Sequence, residues 1–271
     1  MRRTLFTFMI CLTSIISLTF NSCKKETPDT ETQSSVDNTI CESEFNSRIQ
    51  LVNFLARNTY KIKSVQTAGP TITTDTINRI ITIDYGTSGI ADTMNGDSRL
   101  RKGVIKATFD ALWHTSNAAA KVQLIGYAVS NDGGSSYLTY SADSISIKHN
   151  DSISFTYSII GGKCVSTNYS LIWSASQSVT QTGGYSTLTN VNDDVYSTSG
   201  SSSGTDRNGL TYTVNIKSPL VKRTSCAWIE SGSFDLTPAR LSVRTVDFGN
   251  GICDNKVSLV INGNTFTFSL N

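Results

Sequence analysis

Apolar and polar residues alternate through the last part of this chain, and turn residues punctuate the alternation at short intervals. From Ser225 to Asn271 the pattern predicts four strands: Cys226 to Phe234, Leu241 to Phe248, Lys256 to Ile261 and Thr265 to Leu270. The connections between them are Leu236-Thr237-Pro238-Ala239, a Gly/Asn corner and Asn262-Gly263. Asn-Gly between two alternating runs is a strong hairpin signal, because both central residues of a type I′ turn need positive φ. The segment therefore reads as an antiparallel meander. With its first hairpin centred on Pro238, Cys226 falls opposite about residue 250, at the end of the sheet that carries Cys253, and a disulfide between the two would pin that end.

The same period of two recurs upstream. Arg79 to Gly86, Lys102 to Phe109, Val122 to Val129, Tyr137 to Tyr140, Ser144 to Lys148, Ser152 to Ile160 and Leu210 to Ile216 read as strands. Half-buried ribbons at this spacing must stack on one another, so the pattern predicts a mainly β fold, an antiparallel sandwich of roughly a dozen strands. One segment breaks the period. Thr39 and Glu42 fit a capping box, and Cys41, Phe45, Ile49, Val52 and Leu55 recur at helical spacing, so an N-terminal amphipathic helix is predicted over 39–58, docked on the sheet by its apolar stripe. The β-rich domain is expected over 39–271, and Gly161-Gly162 marks a seam between two sub-halves at about 60–160 and 163–271.

Arg2 and Arg3, the apolar run from Leu5 to Phe20 and the short Asn21-Ser22-Cys23 have the layout of an export signal, which assigns residues 1–22 to a removed leader. Residues 23–38 are polar and predict a disordered tether. Residues 1–22 contain two Arg and no acid, so their removal takes the net charge from +2 to 0. A neutral chain has no concentrated positive charge for phosphates, which argues against nucleic acid as a partner. Of six cysteines, Cys11 lies in the leader. The placement of Cys23 resembles the lipobox of bacterial lipoproteins, with Phe20 and Asn21 where that box has Leu and a small residue; the resemblance implies acylation of Cys23 and membrane contact through the acyl chains alone. The remaining four allow three full pairings, with Cys226–Cys253 expected and Cys41–Cys164 next in order.

A wider resemblance rests on motifs in a fixed order: Thr82-Ile83-Asp84-Tyr85-Gly86, Arg101-Lys102-Gly103, Asp193-Asp194-Val195-Tyr196, Gly204 to Gly209, Pro219-Leu220, Cys226-Ala227-Trp228-Ile229 and Asp247-Phe248-Gly249-Asn250-Gly251-Ile252-Cys253-Asp254-Asn255. From Ile80 to the C-terminus the chain resembles a group of lipoproteins of Bacteroidetes-type bacteria to which no reaction is assigned. The resemblance implies a lipid-anchored outer-membrane protein and supports the Cys226–Cys253 pairing. Cys23-Lys24-Lys25-Glu26 is similar to the signal that sends such proteins to the outer face of that membrane. Family members carry a further cysteine where this chain has Ile90-Ala91-Asp92, which leaves the partners of Cys41 and Cys164 open.

Candidate chemistry is thin. Asp84 and Asp247 could form the carboxylate pair of a glycan or peptidoglycan hydrolase, but each precedes a Gly turn, where Asp commonly caps backbone amides. Oxygen ligands for calcium gather at Asp92, Asn95 and Asp97 and again at Asp247 and Asp254, without the spacing of an EF-hand. No other cofactor or metal is suggested. Asp-Ser/Thr-aliphatic triplets place O-glycosylation candidates at Thr76, Thr93, Ser144 and Ser152. Gly200 to Gly204 matches a nucleophile elbow only formally, since no strand-turn-helix surrounds it. His114 and His149 lack a neighbouring serine, and Trp113, Trp173 and Trp228 suit a packed core as well as a sugar platform. The sequence thus predicts no catalytic set. It predicts an envelope lipoprotein that binds or scaffolds a glycan or a partner protein, with a carboxylate hydrolase and a purely structural envelope component as alternatives.

Overall fold

The computed structural model describes residues 29–58, 69–92, 99–187 and 190–270. Residues 1–22, expected to be a leader, and Cys23, Thr93, Asn95 and Asp97 lie outside them. The described chain is mainly β and antiparallel with one N-terminal α-helix. Helix α1 spans Gln33–Asn58. The strands are β1 (Thr71–Asp75), β2 (Ile80–Asp84), β3 (Ile90–Ala91), β4 (Leu100–Phe109), β5 (Ala119–Ser130), β6 (Leu138–Ser141), β7 (Ser144–His149), β8 (Ser154–Val165), β9 (Ser170–Gly183), β10 (Val195–Thr205), β11 (Thr211–Arg223), β12 (Ser231–Pro238), β13 (Arg244–Asn250), β14 (Lys256–Ile261) and β15 (Asn264–Ser269).

The opposed layers of this sandwich-like fold come from one continuous sheet. Strands follow one another in chain order, except that β3 sits on β4, and β6 and β7 both bridge β5 to β8. Antiparallel neighbours need only short connections, and the period of two in each strand sets which face turns inward. In β9, Leu171, Trp173, Ala175 and Val179 are buried, while Ser176 is exposed and Ser174 and Ser178 half-buried. Two apolar clusters result. One joins α1 to β2–β10 and the other is formed within β11–β15. The division falls between β10 and β11, whereas Gly161 and Gly162 lie at an irregularity inside β8, where the register against β9 shifts.

The C-terminal meander forms with its registers displaced from expectation. Pro238 ends β12, paired with Tyr212, so the hairpin turn falls at 239–243. Cys226 precedes β12 and still reaches Cys253, with the Cα atoms 5.8 Å apart in the disulfide. Asn262 and Gly263 both have positive φ, as the Asn-Gly turn requires.

The helix departs most from its predicted form. It begins six residues before Thr39, because Glu31 rather than the Thr39/Glu42 pair caps it, accepting the Ser34 amide at 2.8 Å. Part of the expected tether therefore belongs to the fold. Asp37 accepts the Arg207 amide at 2.9 Å and pairs with its guanidinium, and Asp29 pairs with Arg244 at 2.8 Å. Nor does the polar face of α1 meet water: all its residues except Gln33, Val36, Ile40 and Arg57 are buried. The strands supply polar partners at inward positions instead. Arg101 of β4 grips Glu44 with both arms of its guanidinium, at 3.1 and 3.0 Å, and Tyr127 of β5 donates to the same carboxylate at 2.5 Å. Arg48 donates to Tyr85 at 2.6 Å and pairs with Asp92. Gln177 of β9 donates to Glu42 at 2.7 Å, Trp173 to Asn38 and Trp113 to Asn53, both at 2.9 Å, and Asn46 to Thr198 of β10 at 3.1 Å. Partners on so many strands mean that the sheet curls around the helix and satisfies many of its buried polar groups, although the Ser35, Ser43 and Ser47 hydroxyls find no partner among the described residues.

Candidate functional site

Antiparallel topology gives the molecule two ends. One holds the helix N-terminus, the loop at 206–210 and the β12–β13 turn, tied by Asp37–Arg207 and Asp29–Arg244. At the other end the loops form a hydrogen-bonded series. The Phe109 amide donates to Arg79, His149 to Ala118, Gln181 to Ile153, Thr224 to Asp194 and Gly251 to Glu230. Five of these far-end connections carry an exposed apolar side chain: Ile77, Leu112, Ile153, Tyr185 and Ile252, the first 87% and the last 63% accessible. Singly exposed apolar residues are ordinary, and others lie on the strands and at the opposite end, among them Ile172, Leu241 and Val243.

Two open cavities lie at this end. The larger, about 450 Å³, runs along β13–β15 and is lined by Asp247, Asn250, Ile252, Asp254, Lys256, Ser258, Thr267 and Phe268 among others. It offers carboxylate, amide, ammonium and hydroxyl groups around a half-buried aromatic ring, a set that suits a polyhydroxylated ligand with one apolar face. The second, about 420 Å³, brings both histidines together with Arg57, Ser116, Asp151 and Ser152. Burial holds the His149 imidazole below its usual pKa against the opposing pull of Asp151. Nearby, burial pushes the Asp194 carboxyl up to about 6, against its hydrogen bond from Tyr196 and the charge of Arg57.

Most sequence candidates have local structural duties. Asp84 accepts the Gly86 amide and Asp247 the Gly249 amide, each at 2.7 Å, on β2 and β13, which are not neighbours in the sheet. That shared turn also accounts for the repeated Asp-aromatic-Gly. Asp254 accepts the Lys256 amide at 2.9 Å. Asp92 is buried against Arg48 and Tyr85, so its carboxylate is not presented to an ion. Cys226, Glu230 and Cys253 cluster within metal-binding reach, yet both sulfurs are already bonded to each other. Thr76, Ser144 and Ser152 are exposed. Ser202 of the formal elbow is buried in β10 and donates to Asn38 at 3.3 Å. Trp113 and Trp173 are core residues, and Trp228 lies half-buried under the Arg99 guanidinium, 5.3 Å away. Sequence reasoning missed the cavity over β13–β15 as a surface, because its lining alternates along three strands whose pairing had to be known first.

These features define a class: a mainly β protein whose meander encloses one polar helix and opens a groove at the end remote from the helix N-terminus. Comparison with protein-family models finds no family that matches, and no curated protein or solved structure matches either.

Proposed function

We propose that this chain is a Bacteroidetes-type outer-membrane lipoprotein, exported by residues 1–22, acylated on Cys23 and surface-displayed, which binds a glycan in the groove along β13–β15 as a non-catalytic module. The observation that carries the binding reading is the groove itself, where Asp247, Asn250, Asp254 and Lys256 surround Phe268 and Ile252 in an open cleft of about 450 Å³. Sugars present hydroxyls to such polar groups and a C–H face to the ring. The acidic side chains there cap turns, which suits a rigid binding surface better than proton transfer.

Thermal denaturation of the full lipoprotein against a panel of bacterial and host oligosaccharides tests this. A bound glycan at about 100 times its Kd stabilises the fold by about 2.7 kcal/mol and raises Tm accordingly. Asn250→Ala and Ile252→Ser, both at exposed positions, should abolish that rise while leaving the ligand-free Tm unchanged. A panel without any shift, or a shift that both variants retain, would overturn the assignment; stable capture of an envelope protein would move the face to a protein partner.

A further inference from the structure

We propose that the β12–β13 turn is a second membrane contact, lying on the lipid surface beside the acylated N-terminus; this rests on the reading of Cys23 as lipidated. The chain is clamped where it enters the fold. The Arg244 guanidinium, itself fully buried, donates to Asp29 at 2.8 Å, reaches Glu31 at 3.1 Å and gives its Nε proton to the Glu31 carbonyl at 2.9 Å. Asp29 in turn accepts the Ser242 amide at 3.1 Å. Asp29 is thereby fixed against the tip of the turn, with Ser242 between Leu241 and Val243.

Only six residue steps separate Cys23 from Asp29. At the limit of an extended chain they span about 21 Å. Acyl chains on Cys23 therefore enter the bilayer within that distance of Asp29, which is held on Ser242 between Leu241 and Val243, themselves 36% and 52% accessible. Exposed Arg240 precedes them, held at φ 65° in a turn whose Ala239 amide donates to Thr211. Two aliphatic side chains beside a guanidinium match the lipid interface, where apolar groups sit below the headgroups and cations pair with phosphate. Exposed apolar residues occur at both ends of the molecule, so exposure alone does not select the membrane side. The position of Asp29 does. Since acyl chains already retain the protein, the turn's contribution is orientation: it directs the groove along β13–β15 away from the lipid.

The test uses full-length lipoprotein reconstituted into phosphatidylethanolamine and phosphatidylglycerol vesicles, with and without brominated acyl chains. Leu241→Trp and Val243→Trp report the turn, and Ile77→Trp reports the far end. Brominated lipid should quench roughly half of the added emission from the two turn variants, the depth of an interfacial contact, and none from Ile77→Trp. Mass measurement of the N-terminal peptide reads the anchor separately. Acylated Cys23 with no quenching at either turn position overturns the contact and leaves the lipoprotein reading standing. Equal quenching at the far end overturns a fixed orientation. An unmodified Cys23 removes the anchor and the contact with it.

Discussion

Cys41 of the helix faces Cys164 of β8 with the sulfur atoms 3.0 Å apart, both without solvent exposure. Two thiols this close need only a small approach to bond, and the bond would span 123 residues. Both are inaccessible in the folded chain, so the bond must close during folding, when two protein thiols reduce an exchanging disulfide to two free thiols. Protein folded with oxidised glutathione should resist alkylation at Cys41 and Cys164 after denaturation. Relative to Cys41→Ser it should gain about 2–4 kcal/mol. Full alkylation at both sites without reductant would refute the prediction.

Glu42 gives the fold a pH dependence of unusual sign for a carboxylate. Burial raises its pKa from 4.5 to about 7, more than the hydrogen bonds of Gln177 and Ser202 pull it down. In the unfolded chain it ionises near 4.5, so its stability is fully present below that pH and declines as pH rises to about 7. The loss amounts to about 3 kcal/mol at most. Glu42→Gln should remove this part of the decline, so that between pH 5 and pH 8 the unfolding free energy from urea titrations falls by about 2–3 kcal/mol less in the variant than in the native chain.

Glu44 behaves in the opposite way. Burial would raise its pKa, but the charges of Arg101, Arg48 and Arg99 together hold it well below the ordinary carboxylate range. Its contribution is present above its unfolded pKa and lost as pH falls through the folded value. Removing one partner leaves buried charge uncompensated, so Glu44→Gln and Arg101→Met should each destabilise by about 3–5 kcal/mol. The double substitution should cost clearly less than the two added together, as a denaturation cycle would measure.

Facing glycines on β4 and β5 separate conformation from space. Gly103 and Gly126 have φ of 88° and 59°. A Cβ on Gly103 would strike the Gly126 carbonyl and the Tyr127 Cα, whereas one on Gly126 meets open space. Gly126→Ala should cost about 1–2 kcal/mol from backbone strain alone. Gly103→Ala should cost more by a further 1–3 kcal/mol, roughly the penalty of overpacking, and comparative thermal melts would show the gap.

Most strands were readable because polar and apolar residues alternate with a period that only one backbone geometry produces, but β9 and β10 were not, since their runs of Ser, Thr and Gly carry few apolar markers. Turn chemistry placed Asn262-Gly263 and both Asp-capped glycines correctly. Displacements arose where pairing overrides local preference: Pro238 has no amide to donate, yet it closes β12 against Tyr212. The helix start was misplaced because Thr39 and Glu42 imitate a cap, while the charges that fix the true entry, Arg207 and Arg244, are remote in sequence. One sign of the polar interior was legible. Arg101, Gln177 and Gln181 occupy inward phases of otherwise apolar alternation, which announces a polar partner within. The identity of that partner was not, since it requires knowing that the sheet curls.

The helix is the first described element to be synthesised, yet its partners are made over much of the remaining chain, from Tyr85, 37 residues beyond Arg48, to Arg207, 170 beyond Asp37. Until those strands arrive, only water can satisfy the polar groups that the helix buries in the fold. Removing the chain from β10 onward would take Thr198 from Asn46 and Arg207 from Asp37, so C-terminal truncation should loosen the N-terminal helix as well as the sheet it shortens.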